Sequence, residues 1–470
     1  MSIIPCLSWV KRGVANSNPQ RIELTAQELE KIISEEKSNL DNVENESIED
    51  EEVVNQTDKT EDHMDEYNFD KYDAESGNIH CNIANIVSFE KDGKDPLITA
   101  EDDDSENEND IIKDTDNLLL VGHVEDDAST LEVYVYNESE GSFYCHHDLL
   151  LPSFPLCIEW LNFDPTDSKP CNLCAIGNMD SVIEVWDLDL IDCLEPAYKL
   201  GSKPRKKKNL KRNGHKDAVL DLAWNETYTH VLASGSVDQT VLLWDLEVGV
   251  PVNKFTSFKN KVQALKWNPG NLQHLLVGSA DKGVKIFDGK QEECVKSWKA
   301  MGEVERVLWN RFDLNYCIAS TANGYLHYID IRQDEPVWNA EAHTEEVAGL
   351  ALSSSCPGLV VTSGNDGFLK VWDIINNAEP FCVCEEKSNL GSLLCLESNP
   401  DNPFTFAVGG DNKAHNIKVY DLSTISEVRE RFEGRGHIAV INPDTNKAKI
   451  MDVTGSMDSL VLNPGISDDK

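Results

Sequence analysis

Two histidines and two aspartates share one spacing: His215 precedes Asp238 by 23 residues, and His343 precedes Asp366 by the same 23. An imidazole within reach of a carboxylate is the pairing that general acid–base catalysis uses. Here each pair comes with further polar groups at matching offsets. Gly214-His215 is followed by Ser234 and Trp244-Asp245, His343 by Thr362 and Trp372-Asp373, and the histidine-to-tryptophan interval is 29 residues in both. A histidine, a hydroxyl, a turn aspartate and an indole N–H can satisfy one another in a buried place, where unpaired polar groups are costly. The pattern points to structural chemistry, not catalysis.

The cysteines give no second candidate. Cys171 with Cys174, and Cys382 with Cys384, lack a matching second half and a histidine at zinc-site spacing. The 13 cysteines are odd in number and scattered through strand-like segments of a long chain, which reads as free, mostly buried thiols in a reducing compartment. No nucleophile elbow, P-loop, dinucleotide fingerprint or zinc-protease helix occurs in the sequence. The expectation is therefore a protein that is not an enzyme, with no cofactor, no metal and no small-molecule substrate.

The elements that must position these residues are strands. From Leu118 onward short runs of Val, Ile, Leu, Trp and Tyr alternate with Gly, Asn, Asp and Ser, and no amphipathic helix is expected there. A strand closing on Asp or Asn recurs at Leu131 to Asn137, Val182 to Asp187, Val241 to Asp245, Val284 to Asp288, Tyr325 to Asp330, Leu369 to Asp373 and Ile417 to Asp421. The closing residues are 50, 58, 43, 42, 43 and 48 positions apart, close to the roughly 40–45 residues of one four-stranded propeller blade. A single such sheet is apolar on both faces and must press against neighbours, which radial closure achieves. The fold class expected is all-β, a seven-bladed WD-repeat β-propeller. Elsewhere the polar fittings depart from the repeat: Phe287 and Ile329 replace the tryptophan, Asn323 replaces the turn aspartate, and Lys259-Asn260-Lys261 stands where Gly-His would sit. Those blades are expected to be held mainly by apolar packing.

The expected organisation is a 1–40 N-terminal segment with a short helix, a 41–116 acidic arm, a 117–435 propeller with a basic insertion at 201–213, and a 436–470 tail. Thr25 and Glu28 form a capping box for the helix, which extends to about Lys37. The acidic segments are too polar to bury enough surface to order themselves, and two apolar islands, Tyr67 to Tyr72 and Ile83 to Val87, could pin them to the body. Residues 1–116 hold 32 Asp plus Glu against 10 Lys plus Arg, so this quarter carries −22 of the total −42. Such a charge repels nucleic-acid phosphates on average and suits basic partners. Against it stands one dense basic cluster, Lys203, Arg205, Lys206, Lys207 and Lys208 followed by Lys211 and Arg212, which reads as a nuclear-import signal or a non-specific phosphate contact. Ser47 and Ser105 lie in acidic surroundings and are candidate phosphorylation sites. The longest apolar runs, Leu118 to Val121 and Leu149 to Leu151, fall far short of the roughly 20 residues of a spanning helix, and Met1 to Val10 lacks the pattern of a secretory signal.

Several segments outside the repeats resemble one family, the periodic tryptophan protein 1 group of nuclear WD-repeat proteins. They are Trp9 to Ala15, Tyr67 to Tyr72, Asp95 to Thr99, Phe143 to Asp148, Glu159 to Pro165, and Gly177-Asn178-Met179 running to Glu184 through Asp189. The resemblance implies a nuclear and nucleolar factor, associated with chromatin, that supports ribosomal RNA production and ribosome biogenesis. It fits a non-catalytic scaffold whose partners are histones or other basic nuclear proteins at ribosomal RNA genes. A factor assembling pre-ribosomal particles, or a substrate adaptor of a modifying enzyme, would use the same fold.

Overall fold

The computed structural model describes residues 2–22, 111–126, 128–165, 171–203, 213–291, 293–375, 379–435, 438–442 and 447–451. Seven sheets carry the chain, six of four strands and one of three, and together they form a seven-bladed propeller. The third strands are the recurring runs read from the sequence, for example Val241–Asp245, Phe368–Asp373 and Ile417–Asp421. Their closing aspartates have one local task. In six sheets the carboxylate accepts the N–H two residues on, at 2.9 Å for Asp187, Asp245, Asp288, Asp330 and Asp421 and 3.1 Å for Asp373, which fixes the turn at the end of the strand.

The innermost strands run from what we term the upper rim, which also carries the turns between second and third strands, to the lower rim. In the third sheet, for example, the order outward is Val219–Trp224, Val231–Ser236, Val241–Asp245 and Val250–Phe255. Apolar clusters fill the spaces between sheets. One joins Leu161, Val185 and Leu200 of the second sheet to Leu222, Leu242 and Trp244 of the third. Each fully buried Leu or Val contributes about 1.5–3 kcal/mol, so a sheet is stable only through its neighbours.

Three expectations need correction. The propeller does not begin at residue 117, because Ser2–Val10 is the innermost strand of the first sheet, antiparallel to Asn117–Glu125. That strand closes the ring: the Cys395 thiol donates to the Ile4 carbonyl at 3.2 Å, the Trp9 indole to the Glu397 carbonyl at 3.4 Å, and Asn117 to Asp401 at 2.7 Å. Its apolar residues (Ile4, Leu7 and Trp9) were legible, but the strand they serve begins more than a hundred residues later. Second, the last sheet has three strands, Leu393–Ser398, Thr405–Gly410 and Ile417–Asp421, not four. Third, a helix does follow Leu118, at Ser426–Phe432. Val428 and Phe432, four apart and so on one face, pack beside Val371, Phe406 and Tyr420. Arg431 and Arg435 clamp it to the Asp373 carboxylate at 2.6, 2.8 and 2.9 Å.

In the expected tail, Ile438–Asn442 and Lys447–Met451 pair as a hairpin. The helix expected at 25–37, the islands at 67–72 and 83–87, Ser47, Ser105 and the cations from Arg205 to Arg212 lie outside the described residues. Both long insertions are tied at their bases. The acidic one leaves the lower rim, where the Ile22 N–H donates to the Ile191 carbonyl at 3.0 Å and Ile112 N–H to Ser17 at 3.0 Å. The basic one leaves the upper rim, where Ser202 and Asn213 exchange backbone bonds at 2.7 and 3.3 Å.

Candidate functional site

The residues singled out by spacing do converge. In the third sheet the Trp244 indole donates to Ser234 Oγ at 2.8 Å, Ser234 lies 2.7 Å from His215 Nε2, and His215 Nδ1 lies 3.2 Å from the Asp238 carboxylate. The groups form one chain from indole N–H through hydroxyl and imidazole to carboxylate. Thr240 joins it, donating to Asp238 at 2.6 Å. Burial opposes the charge of Asp238, yet the bonds from His215 and Thr240 hold its carboxyl well below the usual range. The sixth sheet repeats the arrangement: Trp372 to Thr362 at 2.9 Å, Thr362 to His343 at 2.8 Å, His343 to Asp366 at 3.0 Å. Burial lowers the His343 pKa and so favours the neutral imidazole there. His215 is 1% exposed and His343 2%, which leaves neither within reach of a substrate.

The fourth sheet, one of those expected to be held mainly by apolar packing, also carries a polar cluster of its own. There Lys285 takes the imidazole's place: its ammonium donates to the Ser257 carbonyl at 2.8 Å and to Asp281 at 3.2 Å, and lies 4.7 Å from the Phe258 ring centroid. Asp281 also accepts from the N–H groups of Lys259 and Gly283 at 3.0 and 2.9 Å. The fifth sheet uses His327, placed on the third strand, which bonds Asn339 and accepts from the Met301 N–H at 3.3 Å. In both sheets the group comes from the third strand, three residues before its closing aspartate, and not from the connection before the first strand, so the histidine spacing of the third and sixth sheets does not find it.

A second constellation was missed by the sequence reading. The innermost strands enclose a central cavity of about 400 Å³, lined in part by Glu159, Asp221, Lys266, Arg306 and Glu397. Glu159 accepts the Trp224 N–H at 3.0 Å, Asp221 the Leu265 N–H at 2.6 Å, and Arg306 donates to the Ala348 carbonyl at 3.0 Å, each reaching across to the next sheet. Burial pushes the Glu159 pKa up to about 7, and raises those of Asp221 and Glu397. The field of Glu159, with smaller help from Glu397 and Asp221, keeps Lys266 charged against its burial. A signal existed: a charge inside an otherwise apolar first strand, as in Val-Leu-Asp-Leu around Asp221 and Ala-Leu-Lys-Trp around Lys266. Below these charges the strands of Asp221, Lys266 and Arg306 end on tryptophans, Trp224, Trp267 and Trp309. The indoles of Trp267 and Trp309 donate to the Ala223 and Lys266 carbonyls of the preceding sheet at 3.0 and 3.1 Å, as Trp9 does to Glu397.

The WD domain, G-beta repeat model matches residues 206–245 and 334–373, the segments that end on Trp244-Asp245 and Trp372-Asp373. The periodic tryptophan protein 1 homolog of Drosophila melanogaster is 42% identical over 450 residues, covering 92% of this chain and 96% of that protein. Periodic tryptophan protein 1 of Saccharomyces cerevisiae is 30% identical over 521 residues, covering 92% and 90%. This chain belongs to the periodic tryptophan protein 1 family. A chain in the crystal structure of the mitotic checkpoint complex is similar in fold, with a TM-score of 0.51 at 17% identity over 65% of this chain and 84% of that one. Of the segments that first suggested the family, Tyr67 to Tyr72 and Asp95 to Thr99 lie outside the described residues, and the others have places. Trp9 to Ala15 runs from the closing strand to the base of the acidic insertion, and Glu159 to Pro165 brings Glu159 to the cavity and Trp160 into contact with Trp224, ring centroids 6.0 Å apart. In this family member, then, the recurrent tryptophans do two jobs: Trp244 and Trp372 anchor polar chains within a sheet, while Trp9, Trp267 and Trp309 tie one sheet to the next.

Proposed function

We propose that this protein is a non-catalytic, chromatin-associated scaffold of the nucleus and nucleolus that supports ribosomal RNA transcription and ribosome biogenesis, and that its acidic arm receives basic partners such as histone tails. The observation that carries this reading is where the arm is mounted. Residues 23–110 hold 30 Asp plus Glu against 6 Lys plus Arg, a net −24, and are held at both ends on the lower rim of a rigid ring. A polyanion fixed to a platform raises the local concentration of cationic segments and speeds their capture, most strongly at low ionic strength. The test is histone capture by the full chain and by a variant with residues 23–110 replaced by a short Gly-Ser linker. The variant should melt like the full chain but lose histone recovery at about 150 mM salt; equal recovery by both proteins defeats the reading.

The basic insertion between Ser202 and Asn213 favours a second reading, an assembly factor carried on pre-ribosomal particles. Co-sedimentation with precursor particles that survives DNase supports it, and loss on DNase treatment returns the protein to chromatin. The same insertion is proposed as the import signal. Changing Lys206, Lys207 and Lys208 to Ala should move the protein toward the cytoplasm, and unchanged nuclear accumulation removes that role.

A further inference from the structure

Between residues 199 and 300 the chain holds 18 Lys plus Arg against 10 Asp plus Glu, so this stretch is +8 within a protein of −42. It forms the third and fourth sheets and the connection leading into them, and the register gathers five of its exposed lysines at one end. Lys216 sits just before Val219–Trp224, its N–H on Asp238 at 2.9 Å in the upper turn. Lys254 lies opposite Leu242, one residue from the upper end of the third strand. Lys259 precedes Val262–Trp267, Lys282 occupies the upper turn between second and third strands, and Lys299 lies opposite Gly283 at that turn. All five are exposed on the upper rim.

The acids of this rim are engaged elsewhere: Asp180 with Lys203 at 2.6 Å, Asp281 with Lys285 at 3.2 Å, Asp238 with His215 at 3.2 Å. Asp217 accepts from the Ala218 N–H at 2.8 Å. Among the described residues none of the five lysines forms an ion pair, while the neighbouring Lys203, Lys285 and Lys296 do. The insertion with seven further cations, Lys203 through Arg212, springs from the same rim.

We propose that the upper rim of the third and fourth sheets binds the phosphate backbone of a single nucleic-acid strand. Its groups are ammonium ions on flexible stems, and the exposed large aromatics among the described residues (Phe143, Tyr228 and Phe381) are not on it. It can neutralise phosphates but cannot stack bases, so it is insensitive to sequence. The protein's overall negative charge does not prevent this. Six-residue strands make the ring about 20 Å thick, and the acidic arm leaves from the opposite rim. At a Debye length of about 8 Å, charges fixed at that opposite rim are damped over more than two screening lengths. The proposal is independent of the histone reading, since it uses the other face.

The test is fluorescence anisotropy with a labelled 20-nucleotide RNA strand, from 50 to 300 mM KCl, using the full chain. One variant carries Lys216→Ala, Lys254→Ala, Lys259→Ala, Lys282→Ala and Lys299→Ala together. A control carries Lys11→Ala and Lys290→Ala on the lower rim. At about 0.7 per phosphate contact, the rim variant should lower the slope of log affinity against log salt by about 3.5. Between 50 and 200 mM its affinity should then vary about 100-fold less than that of the unmodified protein. The control should keep the parent slope. A parallel DNA strand tells whether the 2′-hydroxyl matters: equal binding assigns the rim to phosphate alone, and a preference assigns it to RNA. The proposal is overturned if the rim variant, melting like the parent, keeps the parent slope, whether because neither protein binds or because the insertion carries all the binding.

Discussion

Lys285→Met tests the claim that a lysine does in the fourth sheet what histidine does in the third and sixth. Methionine preserves the stem's length and its contact with Phe258 but removes the charge and the donors. The ammonium bonds the Ser257 carbonyl at 2.8 Å and Asp281 at 3.2 Å, and the Lys285 and Asp281 side chains are only 15% and 10% exposed. A hydrogen bond from a charged group contributes about 1.5–3 kcal/mol, and a cation over a ring about 0.5–2 kcal/mol. The expected loss is therefore about 3 kcal/mol, read from urea unfolding followed by tryptophan fluorescence, with faster hydrogen exchange at Lys259 and Gly283, whose N–H groups share Asp281. The double variant with Asp281→Asn should lose less than the sum of the singles by about 1.5 kcal/mol, because the two groups interact directly. A pH series gives an independent reading. Burial opposes the charge of Asp281, but the Lys259 N–H and the Lys285 ammonium hold its pKa below the ordinary value. A carboxyl lowered on folding contributes stability above its unfolded pKa of about 3.9, and that stability disappears as pH falls through the folded value. The variant should therefore lose less stability than the parent between pH 6 and pH 3. A loss below about 0.5 kcal/mol at pH 7, or the same loss with and without Asp281, refutes the substitution argument.

Gly214→Ala should cost at least about 2 kcal/mol, measured by thermal unfolding, because the residue has φ of +108° and a Cβ would meet the Trp244 ring at 2.8 Å. Glu159→Gln should stabilise more at pH 8 than at pH 5: burial raises the Glu159 pKa to about 7, so the parent loses stability as pH climbs from the unfolded value of about 4.3 toward 7. Equal effects on the melting temperature at both pH values count against that account. Asp373→Ala removes the acceptor shared by Arg431 and Arg435, and trypsin should then cut at these arginines faster while the rest of the ring persists. Unchanged cleavage means that Val428 and Phe432 hold the helix without the clamp.

The propeller was readable because its third strands carry local signals: an apolar run, an aspartate that fixes the next turn, and a repeated interval. The third and sixth sheets were readable in detail for the same reason, since histidine, hydroxyl, aspartate and tryptophan all come from consecutive elements. The fourth sheet was not, because Lys285 enters the space from the third strand instead of the connection before the first. The charges of the cavity were hidden for a related reason. Asp221, Lys266 and Glu397 come from separate sheets and become neighbours only around the axis.

Local patterning, then, settled the blade, the number of blades and the net charge of each segment. Closure needed the folded ring: that Ser2–Val10 is the strand joining the first sheet to the last follows from which apolar face remained uncovered, and no window of sequence holds both sides of that contact. The same holds for the two rims. Lysines from 216 to 299 and an arm from 23 to 110 are merely positive and negative stretches along the chain. It is the alternating direction of the strands that gathers five of those lysines at one end of the ring and anchors both ends of the arm at the other.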